Sequence, residues 1–332
     1  MIISRTPFRI SFFGGGTDYP AWYHEHGGSV LGMAIDKYCY ISCRKLPPFF
    51  EYKHRIVYSR VENVKEIAEI QHPAVRGVLE TLKIQEGVEI HHDGDLPARS
   101  GLGSSSSFTV GLIHSLKALE GAMIAKRDLA AQAVHIEQEV LKETVGSQDQ
   151  ILTAYGGLNR IDFNRDDLFV VTPIIMDKER VVALQNHMML FFTCFSRTAS
   201  EIAKSQIQKM ENRKQELRAM GGVVEEAMAV LQSRTEPIEQ FGKLLREYWQ
   251  YKRSLSNQVS NGDIDKIYQA GLEAGALGGK LLGAGGGGFM LFFVRPENQP
   301  RLREKLKHLV CVPFRIDYAG SKIVVYEPNN FQ

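Results

Sequence analysis

The chain has 332 residues, of which 44% are hydrophobic and 23% are charged, and its formal net charge is +2 at pH 7. A chain of this length and composition folds as two domains or as one large unit with an ordinary buried core. With so small a net charge, the overall charge does not indicate binding to nucleic acid or to a membrane. Small molecules are therefore the expected partners.

The N-terminus and the cysteines predict a cytoplasmic protein. No apolar run is long enough to span a bilayer, and the first residues lack the layout of a signal peptide. Free thiols in a reducing compartment are expected, because no CxxC pair and no zinc spacing occurs among Cys39, Cys43, Cys194 and Cys311.

Hydrophobic periodicity predicts a first half that mixes strands with helices. Strands are expected over 2–12, 29–45, 53–60 and 86–93, and helices near 72–84, 104–121 and 126–142. Further along, TAYGGLNRIDF is typical of a turn into a strand and DLFVVTPIIM of another strand. The apolar run MMLFFTCFS at 188–196 predicts a buried strand.

The second half begins with a long charged helical region over 198–233, whose charges are expected on a solvated face. Helices near 236–255 and 262–277 then lead into GGKLLGAGGGGFMLFFV, a glycine loop before a buried strand. The helix RLREKLKHL and the closing strands FRIDYA and KIVVYE complete an α+β half. We place a domain boundary near residue 185, which divides the chain into 1–185 and 186–332.

The first unusual stretch is RTPFRISFFGGGTDYP, where a predicted strand ends in three glycines. Glycines there let a ligand approach the backbone closely, and Asp18 can accept hydrogen bonds from two neighbouring hydroxyl groups. The alternative is a tight turn in which Asp18 caps a helix over PAWYHEHGG. The stretch alone does not separate the two interpretations.

The second stretch is LPARSGLGSSSSF at 96–108, which leads into a predicted helix. Its glycines and serines offer backbone N–H donors, small side chains and a hydroxyl for Mg²⁺, so it favours a phosphate cradle. It is not a Walker A motif, since no Gly-Lys-Ser/Thr follows. A flexible surface loop is the alternative, although Pro97 and the apolar helix on either side weaken it. We call residues 99–106 the serine loop.

The third stretch, GGKLLGAGGGGF at 278–289, is weak evidence for a dinucleotide site. A Rossmann fingerprint follows a strand and opens a helix, whereas these glycines are predicted to follow a helix and precede a strand. The order therefore argues against a dehydrogenase.

Two acids stand out in AVHIEQEVLKETVGSQDQILTAYGG. Glu137 is predicted at the end of a helix, and Asp149 lies twelve residues later, beside Gly146 and Ser147. One carboxylate for a metal and one beside a hydroxyl group are what phosphoryl transfer from Mg-ATP requires. Either acid taken alone is better explained as an ordinary surface residue.

Taken together and in this order, the three motifs resemble those of the GHMP kinases, the superfamily of galactokinase, homoserine kinase and mevalonate kinase. The resemblance extends from Arg9 to Gly288. It implies an α+β fold with an N-terminal domain like ribosomal protein S5 domain 2 and a ferredoxin-like C-terminal domain. ATP with Mg²⁺ would then bind between the two domains.

The same resemblance implies roles for individual residues. Asp149 would face the acceptor hydroxyl with Arg9 as its basic partner, and Ser105 and Glu137 would hold Mg²⁺. The implied phosphate-binding residues are Arg99, Ser100, Gly101, Leu102, Gly103, Ser104, Ser105 and Ser106. The implied substrate-binding residues are Gly14, Gly15, Gly16, Thr17, Asp18, Gly285 and Gly286.

The first motif departs from that of galactokinase, because Gly15 and Gly16 stand where galactokinases carry Glu and His. Together with WQYKRSLSNQVSNGDIDKIY, it most resembles the D-glycero-α-D-manno-heptose 7-phosphate kinases. These phosphorylate the anomeric O1 on the route to GDP-linked heptose for surface polysaccharide. A fucokinase or another sugar 1-kinase is the nearest alternative. A catalytically silent sugar sensor, a decarboxylating relative and a Rossmann oxidoreductase are weaker ones.

A phosphorylated acceptor needs cations around its phosphate. Five basic residues lie in or near the motifs, but each alone is better explained as a surface charge, and the sequence does not say which of them converge. They are Arg99, Arg197, Lys252, Arg253 and Lys280. The sequence is also compatible with a homodimer.

Overall fold

Two β-sheets organise the chain in the computed structural model, which describes residues 1–193, 199–208 and 210–328. The strands are β1 (Ile2–Phe13), β2 (Gly28–Lys45), β3 (His54–Val57), β4 (Val61–Val64), β5 (Val88–Gly94), β6 (Leu158–Phe163), β7 (Phe169–Pro173), β8 (Met188–Phe192), β9 (Ala276–Leu281), β10 (Phe289–Val294), β11 (Val310–Val312) and β12 (Lys322–Tyr326).

The helices lie between these strands and cover them. They are α1 (Pro20–His26), α2 (Pro73–Thr81), α3 (Ser104–Leu119), α4 (Lys126–His135), α5 (Gln148–Tyr155), α6 (Lys178–Asn186), α7 (Ala199–Gln208), α8 (Lys214–Gln232), α9 (Glu239–Leu255), α10 (Gly262–Glu273) and α11 (Gln299–Lys305). A π-helical turn, Ile136–Val140, continues α4. Among the described residues, no helix has the length and apolar character that crossing a membrane requires.

The first sheet has eight strands in the order β12-β1-β2-β5-β3-β4, and β6 and β7 branch from β2. The branch arises because β2 is 18 residues long. Its first part pairs with β6, and its second part pairs with β5. Strand β1 is buried along its last eight residues, where the apolar Phe8, Ile10 and Phe12 alternate with the polar Arg9 and Ser11.

The second sheet is antiparallel, in the order β11-β8-β10-β9. Strand β10 is buried at every position, because helices α9 and α10 pack against this sheet. Lys280 of β9 reaches back to the first sheet and donates hydrogen bonds to the carbonyl groups of Ser11 and Phe12 at the end of β1. The end of β1 is thereby held against the second sheet.

Most of the predicted strands and helices are present, and the α+β class is confirmed. The sequence analysis missed β4, β11, α5 and α6, which are short, and it gave α1 only as an alternative interpretation of the first motif. Two predictions were wrong. FRIDYA forms only one isolated bridge, between Ile35 and Ile316. Gly278 and Gly279 belong to strand β9 instead of a loop, because they pair with β10.

The domain boundary near residue 185 stays a prediction. Strand β12 pairs with β1, so the chain returns to the first sheet at its end. Cys39 and Cys43 are buried free thiols as expected, and Cys311 is a free thiol that is partly exposed. Cys194 and Arg197 lie outside the described residues.

Candidate active site

A cleft of about 1090 Å³, including its open mouth, lies where the two sheets meet. The end of β1, the serine loop, the start of α5, helix α9 and the loop after β9 all contribute to it. Its lining includes Arg9, Ser11, Gly15, Gly16, Asp18, Tyr19, Arg99, Gly101, Gly103, Ser104, Ser105, Ser106, Gln148, Asp149, Tyr248, Lys252, Leu255, Lys280, Gly283 and Ala284.

An ion pair between Arg9 and Asp149 lies at the centre of the cleft. Arg9 Nε donates to Asp149 Oδ1 at 2.7 Å, and Arg9 NH2 donates to Oδ2 at 2.6 Å. Arg9 is nearly buried, with 5% of its side chain exposed, whereas 25% of the Asp149 side chain is exposed toward the cleft. The bidentate contact fixes the carboxylate in one orientation while leaving it accessible to a ligand.

The serine loop packs around the same arginine. Arg9 NH1 donates to the carbonyl oxygen of Gly101 at 2.7 Å. The backbone N–H of Arg9 donates to the carbonyl oxygen of Leu102. Helix α3 begins at Ser104, and its N-cap, Gly103, supplies no side-chain cap. The first amide groups of this helix are therefore available to an anion beside the arginine. These contacts argue against the flexible surface loop.

Glycine is required in the serine loop at Gly101. Its φ is 82°, and a Cβ there would lie 2.5 Å from the carbonyl oxygen of Leu282. A side chain at this position would push the loop after β9 away from the serine loop. This loop comprises residues 282–288, and we call it the glycine loop. The two loops touch through their backbones, which brings two distant motifs to one site.

The glycine loop enters the cleft through Gly283 and Ala284. Gly285 and Gly286, which were predicted to bind substrate, lie elsewhere. A Cβ on Gly285 would meet the backbone of Val259, and the N–H of Gly286 donates to the carbonyl oxygen of the same residue. These two glycines support the loop from behind, because the chain after α9 packs against them.

Asp18 of the first motif is buried in the wall of the cleft. It accepts hydrogen bonds from the N–H groups of Gly16 and Gln148, and burial raises the pKa of its carboxyl group. It does not cap α1, whose N-cap is Tyr19. A Cβ on Gly146 would lie 1.9 Å from Asp18 Oδ2, so this glycine is what lets the chain before Asp149 reach the first motif.

The glycines of the first motif divide into two roles. Gly15 and Gly16 line the cleft, and the hydroxyl of Tyr248 donates to the carbonyl oxygen of Gly15. Gly14 and Thr17 instead support the turn, because the hydroxyl of Thr17 donates to the carbonyl oxygen of Gly14. Similarly, Ser100 and Leu102 are the buried residues of the serine loop that face away from the cleft lining.

Glu137 is fully buried in the π-helical turn beside the start of α3. Its Oε2 accepts hydrogen bonds from Ser106 Oγ and Gln150 Nε2, while its Oε1 has no hydrogen-bond partner. Burial raises the pKa of Glu137 to about 7. An ordinary surface acid would have neither this burial nor these partners, so that alternative is wrong for Glu137.

The donors around Glu137 fit a magnesium ion. Mg²⁺ takes one or two carboxylates, keeps several waters and uses substrate phosphates, and the unpaired Oε1 is a free oxygen ligand. Among the described residues, no cluster of three or more His, Cys, Asp or Glu side chains forms a complete metal site. The structure brings Ser106 against Glu137. Ser105, the implied metal ligand, is exposed in the cleft, and its role stays a prediction.

Three of the basic residues singled out in the sequence line the cleft, two of them buried and one exposed. Lys252 and Lys280 line it, and they are 8% and 2% exposed. Arg99 lines it as an exposed residue of the serine loop. Arg253 is different, because its guanidinium forms an ion pair with Asp265 at 2.7 Å.

The sequence analysis did not single out Ser11, Gln148 or Tyr248. Gln148 is the neighbour of Asp149, and its buried Oε1 has no hydrogen-bond partner. Tyr248 lies one helical turn before Lys252, so both side chains project from one face of α9 into the cleft. This spacing was the available signal, but an aromatic residue on a helix more often packs in a core.

Two family models match the chain. Residues 66–157 match the N terminal domain of the GHMP kinases, and residues 227–310 match the C terminal domain. Together the matches cover more than half of the chain.

Similar proteins include sugar kinases. The D-glycero-alpha-D-manno-heptose 7-phosphate kinase of Campylobacter jejuni is 28% identical over 321 residues, covering 92% of this chain and 93% of that protein. The bifunctional fucokinase/GDP-fucose pyrophosphorylase of Arabidopsis thaliana is 24% identical, covering 91% of this chain and 30% of that protein. The crystal structure of a D-glycero-D-manno-heptose 1-phosphate kinase from Bacteroides thetaiotaomicron has a TM-score of 0.81 at 22% identity, covering 98% of this chain and 100% of that chain.

Proposed function

The chain belongs to the GHMP kinases and is an ATP-dependent sugar kinase, and we propose that its acceptor is D-glycero-α-D-manno-heptose 7-phosphate. The enzyme would phosphorylate the anomeric O1 and release the 1,7-bisphosphate, a step toward GDP-linked heptose for surface polysaccharide. The contact that carries the proposal is the bidentate Arg9–Asp149 pair, which lies between the serine loop and the open turn at Gly15 and Gly16.

The serine loop and the start of α3 provide the donor side of the reaction. Backbone N–H groups near Gly103 and Ser104 would hold the phosphates of ATP, and Arg9 would compensate charge on the γ-phosphoryl group. Arg9 also donates to the carbonyl oxygen of Gly101, which holds the arginine against the loop. This coupling supports a site in which the phosphoryl group is positioned before transfer.

On the acceptor side, Asp149 would orient the anomeric hydroxyl. O1 forms a bond to the γ-phosphorus while the bond from that phosphorus to the β,γ-bridging oxygen breaks, and ADP leaves with the electron pair. The proton of O1 passes to an Asp149 carboxylate oxygen. The transition state of phosphoryl transfer is loose, so the fixed position of this carboxylate contributes more than its strength as a base.

Glu137, with Ser105 and Ser106 beside it, is the group of residues that would hold Mg²⁺. The bound ion would neutralise part of the charge on the ATP phosphates. The chain's own contribution here is a buried carboxylate with one free oxygen, which is oriented by Ser106 and Gln150.

The choice of a heptose phosphate rests on the room and the charge in the cleft. Gly15 and Gly16 leave space beside Asp18 where larger side chains would contact a hexose. The cleft also contains Lys252 and Lys280, which suit an acceptor that already carries a phosphate. The Campylobacter jejuni relative is named as such a kinase, and this chain matches it over nearly its whole length.

An unphosphorylated deoxyhexose is the second candidate acceptor, since the Arabidopsis thaliana relative has fucokinase in its name. If the two buried lysines bind the acceptor's own phosphate and not the group transferred from ATP, they count against a neutral sugar, which supplies no anion for them. A silent sugar sensor is disfavoured by the presence of Asp149 in the cleft and of Glu137 behind Ser106, which lines the cleft.

An ADP-release assay with Mg-ATP tests the proposal. D-glycero-D-manno-heptose 7-phosphate is compared with fucose, galactose and mannose 6-phosphate at equal concentrations. We expect kcat/KM for the heptose phosphate to be at least about 100-fold above kcat/KM for the other three sugars. A site that binds a specific polar group of its substrate discriminates this strongly against compounds that lack the group. A preference for fucose or galactose would overturn the choice of acceptor while keeping the kinase.

A further inference from the structure

Two buried ammonium groups lie on the floor of the cleft without a carboxylate partner. Among the ion pairs of the described residues, neither Lys252 nor Lys280 takes part in one, although both are less than 10% exposed. Most buried lysines are paired, because an unpaired charge in a low-dielectric interior is costly. These two also repel each other, which together with burial lowers the pKa of Lys280.

Backbone carbonyl groups hold each ammonium in place. Lys252 Nζ donates to the carbonyl oxygens of Leu281 at 2.9 Å and Gly283 at 2.5 Å. Lys280 Nζ donates to those of Ser11 at 2.9 Å and Phe12 at 2.7 Å, and lies 4.4 Å from the ring centre of Tyr248. An ammonium has three N–H donors, so each lysine keeps one for a ligand.

The carbonyl groups fix the two lysines but leave their charge uncompensated. The acids nearest to them already have partners: Asp149 is bound to Arg9, and Asp18 accepts backbone hydrogen bonds. The cleft therefore presents two cations whose positions are set and whose counterion is missing from the chain. A ligand with two negative charges would supply it.

We propose that Lys252 and Lys280, called here the lysine pair, bind one phosphoryl group together. The inference rests on the proposed function and adds the residues that recognise phosphate outside the serine loop. A phosphoryl group fits because it carries up to two charges and accepts a hydrogen bond from each ammonium. It comes either from the acceptor's own phosphate or from the group transferred from ATP.

The position of the lysine pair is compatible with both sources. Lys252 contacts Gly283, whose backbone lies against Gly101 of the serine loop, on the donor side. Lys280 lies beside Ser11 and below Tyr248, whose hydroxyl contacts Gly15 on the acceptor side. The shared chemistry is the phosphoryl group, and kinetics separates the two sources.

The test uses Lys252→Met and Lys280→Met, with Lys252→Arg as the variant that keeps the charge. Lys266→Met is the matched control, because Lys266 is exposed and pairs with Asp263 outside the cleft. Isothermal titration of the full-length proteins with inorganic phosphate, without nucleotide or sugar, gives the first readout. The Met variants in the cleft should bind phosphate roughly 30-fold or more weakly than wild type. The Arg variant should retain part of the affinity.

Kinetics with heptose 7-phosphate and with the unphosphorylated heptose identifies the source. If the acceptor's phosphate is bound, KM rises only for the phosphorylated sugar. If the transferred group is bound, kcat falls by the same factor with both sugars. Unchanged phosphate affinity in Lys252→Met, together with unchanged constants for both sugars, would overturn the proposal.

The phosphate titration also keeps the two proposals distinguishable. Loss of phosphate binding in the variants would support the lysine pair even if wild type did not turn over the heptose phosphate. Conversely, turnover of the heptose phosphate with unaffected variants would reject the lysine pair alone. If Lys280→Met does not fold, because it joins β9 to β1, Lys252→Met and Lys252→Arg complete the test.

Discussion

The cleft has two walls that hold charge in different ways. The serine-loop wall, residues 99–106, uses backbone N–H groups and small side chains at the start of α3, and its one cation, Arg99, is exposed. The lysine wall, formed by α9 and β9, uses the buried side chains of Lys252 and Lys280. The first wall is a local feature of the chain, whereas the second exists only after the two sheets pack together.

This difference explains what the sequence revealed. The serine loop could be singled out because its glycines and serines form a compact motif whose residue types suggest phosphate binding. Roles for Arg9, Glu137 and Asp149 were predicted through the resemblance to the GHMP kinases. The resemblance to the GHMP kinases predicted ATP between the two domains, but the sequence did not predict that Lys252 and Lys280 lie in one wall of that cleft. The buried strand β10 was also predictable from its apolar run.

Other parts of the site could not be predicted for physical reasons. A lysine in a sequence is most simply a surface charge, and only packing shows that Lys252 and Lys280 are buried while Arg253 pairs with Asp265. In the sequence, Gly285 and Gly286 cannot be told apart from the other glycines of the glycine loop. In the structure, they pack against Val259 and do not line the cleft. Short helices such as α5 were missed because eight residues are too few to show a clear helical repeat of apolar positions.

The largest effect is expected at Asp149, where the two walls meet. Asp149→Asn keeps the size of the side chain but removes the charge paired with Arg9, so kcat should fall by about 10²- to 10⁴-fold. ATP affinity, measured by titration, should change by less than about twofold, since the carboxylate faces the acceptor. Asp167→Asn is the control, because Asp167 contacts His24 at an exposed position. Normal turnover in Asp149→Asn would contradict the assigned role.

The next effect concerns the contact between the serine loop and the glycine loop. Gly101→Ala should destabilise the protein by about 1–3 kcal/mol more than Gly121→Ala, as overpacking does. Both glycines have positive φ, but a Cβ on Gly121 meets nothing within 4 Å, whereas one on Gly101 meets the carbonyl oxygen of Leu282. Urea unfolding measures the difference. Equal losses in the two variants would show that the loops do not need this close approach.

The lysine wall should give stability a pH dependence through Lys252. Burial lowers the pKa of Lys252 to about 7 from an unfolded value near 10.5; the charge of Arg9 lowers this pKa further, and the charge of Asp149 raises it. Between these two values the unfolded chain binds more protons, so this group makes the unfolding free energy rise with pH.

The size of this rise follows from the linkage relation. From pH 7 to pH 9, wild type should gain up to about 2 kcal/mol relative to Lys252→Met, since one pH unit is worth at most about 1.4 kcal/mol. Denaturant unfolding of both proteins at each pH gives the difference. Parallel pH profiles would mean that Lys252 is protonated in the folded protein throughout this range.

The smallest effect is expected at Arg99. Its guanidinium is exposed at the rim, so Arg99→Ala should weaken ATP binding only a few-fold, as exposed ion pairs do. This loss should shrink further between about 0.05 and 0.5 M salt, because exposed charges are screened. Loss of phosphate binding in Lys252→Met should depend less on salt. A large, salt-independent loss in Arg99→Ala would remove the contrast between the two walls.

The central claim is that the two walls bring a γ-phosphoryl group to the anomeric oxygen of a sugar that already carries a phosphate. ³¹P NMR of the product from heptose 7-phosphate and Mg-ATP tests this most directly. The predicted spectrum has one new phosphorus signal, coupled to the anomeric proton, beside the unchanged signal of the 7-phosphate. A new signal coupled to any other proton of the sugar, or no new sugar phosphate at all, would contradict the account.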